Sequence, residues 1–243
     1  MSVLIVGASG ATGRLLVEQL LDRGQNVRAI VRSTDNLPEI LKNHDHLSVI
    51  RASILDLSDA EMARHVNGCA AVASCLGHNL SLKGIFGPPR RLVTDATRRL
   101  CNAIKANRAE RPTRFVLMNT AGISNRDLDE PMSFAQKCAV ALLRLLLPPL
   151  TDSEHAADYL RANIGQNEKE IEWAVVRPDT LVNEDKDTGY EVHPSPIRSA
   201  VFNAGRTSRI NVAHFMADLM TDAVTWNKWR GQMPVIYNSR ESR

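Results

Sequence analysis

A chain of 243 residues with 44% hydrophobic and 23% charged side chains suits one α/β domain with an ample core. A formal net charge of +3, carried without any basic run, gives no case for nucleic-acid binding. Four cysteines (Cys69, Cys75, Cys101 and Cys138) form no C-x-x-C pair, and with three of them in apolar or helical surroundings reduced thiols are expected rather than a disulfide framework. No apolar run reaches about 18 residues, so no transmembrane segment is expected. A strand beginning at residue 3 leaves no room for a targeting peptide, and the expected location is cytoplasmic.

The chain opens with Val3–Val6, an apolar run broken at Gly7 and followed by Gly10 and Gly13. Leu15, Leu16, Leu20 and Leu21 then recur at helical spacing up to Gly24, which predicts strand, glycine turn and helix. Gly7 lets the chain turn, Gly10 lets backbone approach a ligand, and Gly13 lets helix and strand pack closely. The helix N-terminus offers free N–H groups to a pyrophosphate, with Ser9, Ala11 and Thr12 completing a cofactor-binding turn. The spacing is G-x-x-G-x-x-G rather than the commoner G-x-G-x-x-G. Asn26–Val31 reads as the second strand and ends in Arg32, Ser33 and Thr34. An acid at that place would bond the ribose of NAD, whereas an arginine accommodates a 2′-phosphate, so the expected cofactor is NADP(H).

Leu47–Arg51 reads as a third strand, with Ser53 and Ile54 behind it near the adenine, and Asp59–Val66 as a helix. Ala70–Leu76 is a fourth strand ending at Gly77, followed by an irregular connection over 78–89 and a helix over Arg91–Ala106. Thr113–Met118 is the fifth strand and runs into Thr120. The strongly apolar 133–147 stretch, stopped by Pro148-Pro149, reads as a buried or cleft-covering helix. Its alternative is a helix presenting 139–147 to a protein partner or a membrane surface. Asp152 or Ser153 can cap the next helix, which carries His155 and Tyr159. Trp173–Arg177 is a sixth strand closed by Pro178, Val212–Trp226 a helix, and Val235–Tyr237 a last strand.

Alternation of strands and helices predicts a Rossmann-like, doubly wound parallel sheet with a small C-terminal substrate-side lobe. The expectation is one NAD(P)-binding domain over 1–243, with residues 123–160 and 179–211 covering the cleft. Gly7, Arg32, Ser53, Gly77 and Thr120 all fall at the carboxyl ends of strands, where such sheets bind ligands.

Short-chain dehydrogenases use Tyr-x-x-x-Lys as their acid, but Tyr159, Tyr190 and Tyr237 are followed at that offset by Asn163, Pro194 and Glu241. Thr120 is the candidate that could orient a substrate by its hydroxyl, and its alternative role is a local backbone bond. His155 is the candidate proton relay. His44 and His46 lack companions, and His65, His193 and His214 carry no constellation, so no metal is expected.

Gly-Ala-Ser-Gly-Ala-Thr-Gly (7–13), Val31-Arg32, Leu76-Gly77, Leu-Pro-Pro-Leu (147–150), Tyr-Leu-Arg (159–161), Trp-Ala-Val-Val-Arg-Pro (173–178), Ser208-Arg209-Ile210 and His-Phe-Met (214–216) span nearly the whole chain. Together they resemble the atypical short-chain dehydrogenase/reductases of the NmrA-like, NAD(P)H-binding group, and within it the biliverdin-IXβ/flavin reductases. The resemblance implies NADPH-dependent reduction of a flavin, quinone or linear tetrapyrrole. It places Arg32, Ser33 and Thr34 at the 2′-phosphate, Leu76 and Pro178 along the cofactor, and Thr120 and Thr180 near the nicotinamide. Two departures stand out. Ala52-Ser53 replaces the group's frequent Gly-Asp, and the histidine of the flavin reductases is missing, with Thr180 in its place. The missing acid groups support a second expectation, a non-catalytic NADP(H) sensor or assembly factor acting on a protein partner.

Overall fold

The computed structural model describes residues 1–79 and 81–239. Leu80, inside the 78–89 connection, and Glu241, at the tested offset from Tyr237, lie outside the described residues. The elements in chain order are β1 (Ser2–Val6), α1 (Ala11–Asp22), β2 (Asn26–Val31), α2 (Glu39–Lys42), β3 (Leu47–Arg51), α3 (Asp59–Val66), β4 (Ala71–Ser74), α4 (Leu82–Phe86) and α5 (Leu92–Asn107). There follow β5 (Thr113–Met118), α6 (Phe134–Leu146), α7 (Pro148–Asp158) continuing into a π-helical turn over Tyr159–Ile164, β6 (Ile171–Pro178), β7 (Thr180–Val182) and β8 (Tyr190–His193). The chain closes with β9 (Arg206–Ser208), α8 (Arg209–Thr221), α9 (Ala223–Trp229) and β10 (Val235–Asn238).

The main sheet runs β3-β2-β1-β4-β5-β6-β10-β8. Neighbours from β3 through β10 are parallel, and β8 joins β10 antiparallel at the edge. This is the Rossmann-like doubly wound sheet, and the order reverses between β1 and β4, where such sheets open a ligand crevice. Near-continuous apolar runs form these strands because both faces are covered. Val3, Ile5, Ala71, Ala73, Val116, Ala174 and Val176 pack toward α1, α8 and α9. Their alternates Leu4, Val6, Val72, Phe115, Leu117, Trp173 and Val175 pack toward α3, α5 and α7. Burying each large side chain of this kind stabilises by about 1.5–3 kcal/mol.

Three expectations need correction. The 212–226 helix is two helices, because the Asp222 carboxylate accepts the Thr225 N–H and starts α9 after α8 ends at Thr221. The helix bearing His155 begins at Pro148-Pro149, whose missing N–H groups cost nothing in a first turn, and not at Asp152 or Ser153. Asp152 instead caps a different helix: its carboxylate accepts the N–H groups of Val93 and Thr94 at the start of α5, at 2.8 and 3.0 Å. The third correction concerns α6, where Val140 alone is buried, so a buried helix is not what the 133–147 stretch forms.

The C-terminal lobe holds the short strands that the sequence pattern did not disclose. β7 and β9 pair parallel as a separate two-stranded sheet, Thr180 with Arg206 and Val182 with Ser208. The buried Arg177 side chain anchors this region. It forms an ion pair with Glu130 at 2.6 Å and donates to the carbonyls of Ile123 and Met233 at 3.0 and 2.6 Å. Loop 123–130 is thereby clamped to the carboxyl end of β6.

Candidate functional site

The glycine turn explains itself sterically. Gly7 has φ +75°, and a Cβ there would stand 2.6 Å from the Cys75 carbonyl carbon, so β1 and the end of β4 touch through backbone. At Gly13 a Cβ would meet the Gly7 carbonyl oxygen at 2.1 Å, so α1 packs directly on the turn. Gly10 donates its N–H to the Gly7 carbonyl at 3.0 Å and occupies the N-cap. No side chain caps α1 and no acid lies in its first turn. Its leading N–H groups are thus left to an anion, with the helix dipole behind them.

Beside this turn lies a cavity of about 310 Å³. Gly7, Ser9, Gly10, Arg32, Ser53, Ile54, Leu76 and Gly77 all line it, as four strand ends brought side by side by the order β3-β2-β1-β4. The crevice lies open in front of the backbone of Gly7 and Gly10, and its donor set of free N–H groups, Ser9, Arg32 and Ser53 suits the adenosine diphosphate part of a dinucleotide. Arg32 is exposed on its wall, and Arg51, the register partner of Val31, ends the neighbouring strand. Ala11, Thr12 and Gly13 form the first turn of α1, with Thr12 and Gly13 buried. The Ser33 hydroxyl accepts the Asp35 N–H, and Thr34 lies beside it in the same loop, half-buried. Asn36, Asn79, Pro89 and Leu92 also line the cavity, and nothing in their sequence spacing announces it. Cys75 lines it too, and burial pushes its thiol up to about 12.

Two long-range anchors hold the cavity walls. Arg99 on α5 donates to the carbonyls of Ile54, Leu55 and Leu57, fixing the loop behind β3. His78, between the lining residues Gly77 and Asn79, is buried with its Nε2 at 2.8 Å from Asp152 and its Nδ1 at 3.2 Å from the Gly84 carbonyl. It ties the 77–89 connection to α7.

Farther along the rim, the strand order places Thr120, after β5, beside Pro178, at the end of β6: the Ala121 N–H donates to the Pro178 carbonyl at 2.8 Å. The Thr120 hydroxyl accepts the Gly122 N–H at 3.1 Å, and Asn119 donates to the Ser153 carbonyl on α7. Thr180 is exposed on β7. His155 does not share the cavity beside the glycine turn. It is exposed in a second cleft with Arg90, Arg91 and Arg144. His214 is not isolated, contrary to expectation: it lies 3.0 Å from the Tyr190 hydroxyl and 3.3 Å from Asp218, which also pairs with Arg23. That network joins α8 to the end of α1 and to β8.

None of the three tyrosines stands ready as an acid. Burial is the first cause that pushes Tyr159, Tyr190 and Tyr237 above the ordinary phenol value. This is the reverse of what Tyr-x-x-x-Lys chemistry requires.

A family model described as NAD(P)H-binding matches residues 7–223. A chloroplastic protein of Arabidopsis thaliana, described as uncharacterized, is 26% identical over 187 residues, which are 77% of this chain and 61% of that protein. This chain therefore spans less than two thirds of that relative's length. A short-chain dehydrogenase/reductase of Veillonella parvula, solved in complex with NADP, superposes with a TM-score of 0.71 at 17% identity, covering 98% of this chain and 95% of the other. The anaerobilin reductase ChuY of Escherichia coli O157:H7 superposes with a TM-score of 0.67 at 16% identity, covering 100% of both chains. At these identities the two structures share the fold.

Proposed function

Because this chain belongs to the NAD(P)H-binding family, we propose that it is an NADPH-dependent oxidoreductase reducing a planar acceptor such as a flavin, quinone or linear tetrapyrrole. The observation that carries the cofactor choice is Arg32 on the wall of the 310 Å³ cavity, at the strand end where an acid would favour NADH. Gly7, Gly10 and the α1 N-terminus would hold the pyrophosphate, Ser53 and Ile54 the adenine, and Leu76, Gly77 and Pro178 the path toward Thr120. When bound, the reduced nicotinamide supplies a hydride. The chain's own part is to orient and to exclude water.

The tyrosines support this acceptor class, since none of them lines the cavity. With all three phenols pushed upward by burial, no tyrosine in the chain is tuned to deliver a proton at neutral pH. Flavins and quinones fit such a site because solvent can protonate them after hydride arrives. Thr120 remains the side chain best placed to orient an acceptor, and its hydroxyl proton is free to donate while its oxygen accepts from Gly122. His155, in its separate cleft, enters this reading only if the acceptor extends between α5 and α7.

The test is NADPH oxidation by the purified chain, followed by absorbance, with FMN, a soluble naphthoquinone and biliverdin offered in turn. Acceleration by any of them supports the reading. Tight NADPH binding with no acceptor turned over would favour the non-catalytic sensor, the reading that the local bond of Thr120 supports.

A further inference from the structure

The composition and the burial of α6 disagree more than those of any other helix. Its sequence is Phe-Ala-Gln-Lys-Cys-Ala-Val-Ala-Leu-Leu-Arg-Leu-Leu, yet Phe134 and Leu145 are each 82% exposed, and Leu142 and Leu146 are more than half exposed. Phe134, Cys138, Leu142 and Leu145 follow helical spacing, so they form one outward stripe. The opposite side of the helix, with Gln136 and Val140, packs over a small cleft against Pro196, Ala200 and Val201, so the stripe itself is left uncovered. An apolar face of this extent marks a contact surface.

The carboxyl end of the stripe abuts charge. After Leu147 the chain turns through 105° into α7, and this corner borders a cleft of about 430 Å³ lined by Arg90, Arg91, Arg144, His155 and Asp152, whose carboxylate is taken by His78 and the start of α5. Arg144 is paired with Glu154, and Arg91 reaches Asp95 only at 4.0 Å. Arg90 donates to the Phe86 carbonyl and has no carboxylate within 4.0 Å among the described residues. Arg90 and Arg91 therefore stand at this corner without a carboxylate closer than 4.0 Å among the described residues. Leu82 and Phe86 of α4, the second bonded by Arg90 through its carbonyl, are exposed as well.

A second copy of the chain is a poor occupant for this face. A two-fold interface centred on this corner would set Arg90 and Arg91 of one copy against the same arginines of the other. An anionic bilayer satisfies both halves at once, with acyl chains taking the leucines and lipid phosphates taking the arginines. We propose that α6, together with the Arg90–Arg91 cleft, docks this chain on an anionic lipid surface.

The test is co-sedimentation of the full chain with phosphatidylcholine vesicles, with and without phosphatidylglycerol, at low and high salt. The chain should sediment with the phosphatidylglycerol vesicles and be released by salt. Leu142→Glu with Leu145→Glu should abolish sedimentation, and Arg90→Ala with Arg91→Ala should weaken it roughly tenfold or more. All four residues are exposed, so thermal melts should match the wild type. Failure of the wild type to bind these vesicles at low salt, or binding by both variants equal to the wild type, would overturn the proposal. So would a dimer seen by light scattering that Leu145→Glu splits while vesicles stay unbound. The assay needs no turnover, so its failure leaves the NADPH reading untouched.

Discussion

In the first third of the chain the ligand-facing geometry is set by backbone against backbone: Gly7 against the end of β4, Gly13 against the Gly7 carbonyl, Gly10 at the head of α1. In the 120–205 region, side chains far apart in sequence do the same work. Arg177 reaches Glu130, and Asp152 reaches the start of α5 and His78. The first kind of construction tolerates no added atom but needs no charge. The second tolerates small changes of shape but fails when a buried charge loses its partner. The two regions should therefore break in different ways.

The largest effect is expected from Glu130→Ala. It strands the buried Arg177 guanidinium, and the cost should be about 3–5 kcal/mol in urea unfolding. Such a variant, where still folded, should bind NADPH normally while losing turnover, because the damage lies on the lobe side. Gly13→Ala should cost somewhat less, about 2–3 kcal/mol from overpacking against the Gly7 carbonyl. It should nevertheless remove NADPH binding in a fluorescence titration, since the turn proposed to hold the pyrophosphate must shift. If both variants lost binding and lobe integrity together, the division between the regions would be wrong.

Arg99→Ala removes charge-assisted bonds to three carbonyls behind β3 and should cost about 1.5 kcal/mol. It sharpens the comparison because here a side chain supports the backbone-built region; NADPH affinity should fall several-fold with turnover per bound cofactor unchanged. The smallest effect concerns Glu168. Its bond to Lys105 holds its carboxyl down to about 2, below the ordinary 4.5. A folded value below the unfolded one contributes stability above pH 4.5 that is lost as the pH falls toward 2. Glu168→Gln should flatten the acid limb of the stability curve over that window by less than about 1 kcal/mol, as expected for a partly exposed pair.

The same contrast governs what the sequence disclosed. The glycine turn, the apolar strands and the strand-end residues Arg32, Ser53 and Gly77 are local signals, because each conformation is decided within a few residues. Asn36, Asn79 and Pro89 join the cavity only through loop paths that no periodicity encodes. Asp152 looks like a helix cap and is one, but for α5, 58 residues away. β7 and β9 are three residues each and pair across a long connection, too short for alternation to show. The 133–147 stretch was misleading for another reason: apolar composition ordinarily means burial, and α6 keeps its apolar face outside.

The central claim is that Arg32 makes the 310 Å³ cavity a site for NADPH. The most direct measurement is the dissociation constant for NADPH and for NADH, by nicotinamide fluorescence, with the wild type and Arg32→Ala. The wild type should prefer NADPH, and the variant should lose about ten-fold or more for NADPH, the worth of a charge-assisted bond, with NADH unchanged. Equal affinities in the wild type, or a preference that survives Arg32→Ala, would contradict the account.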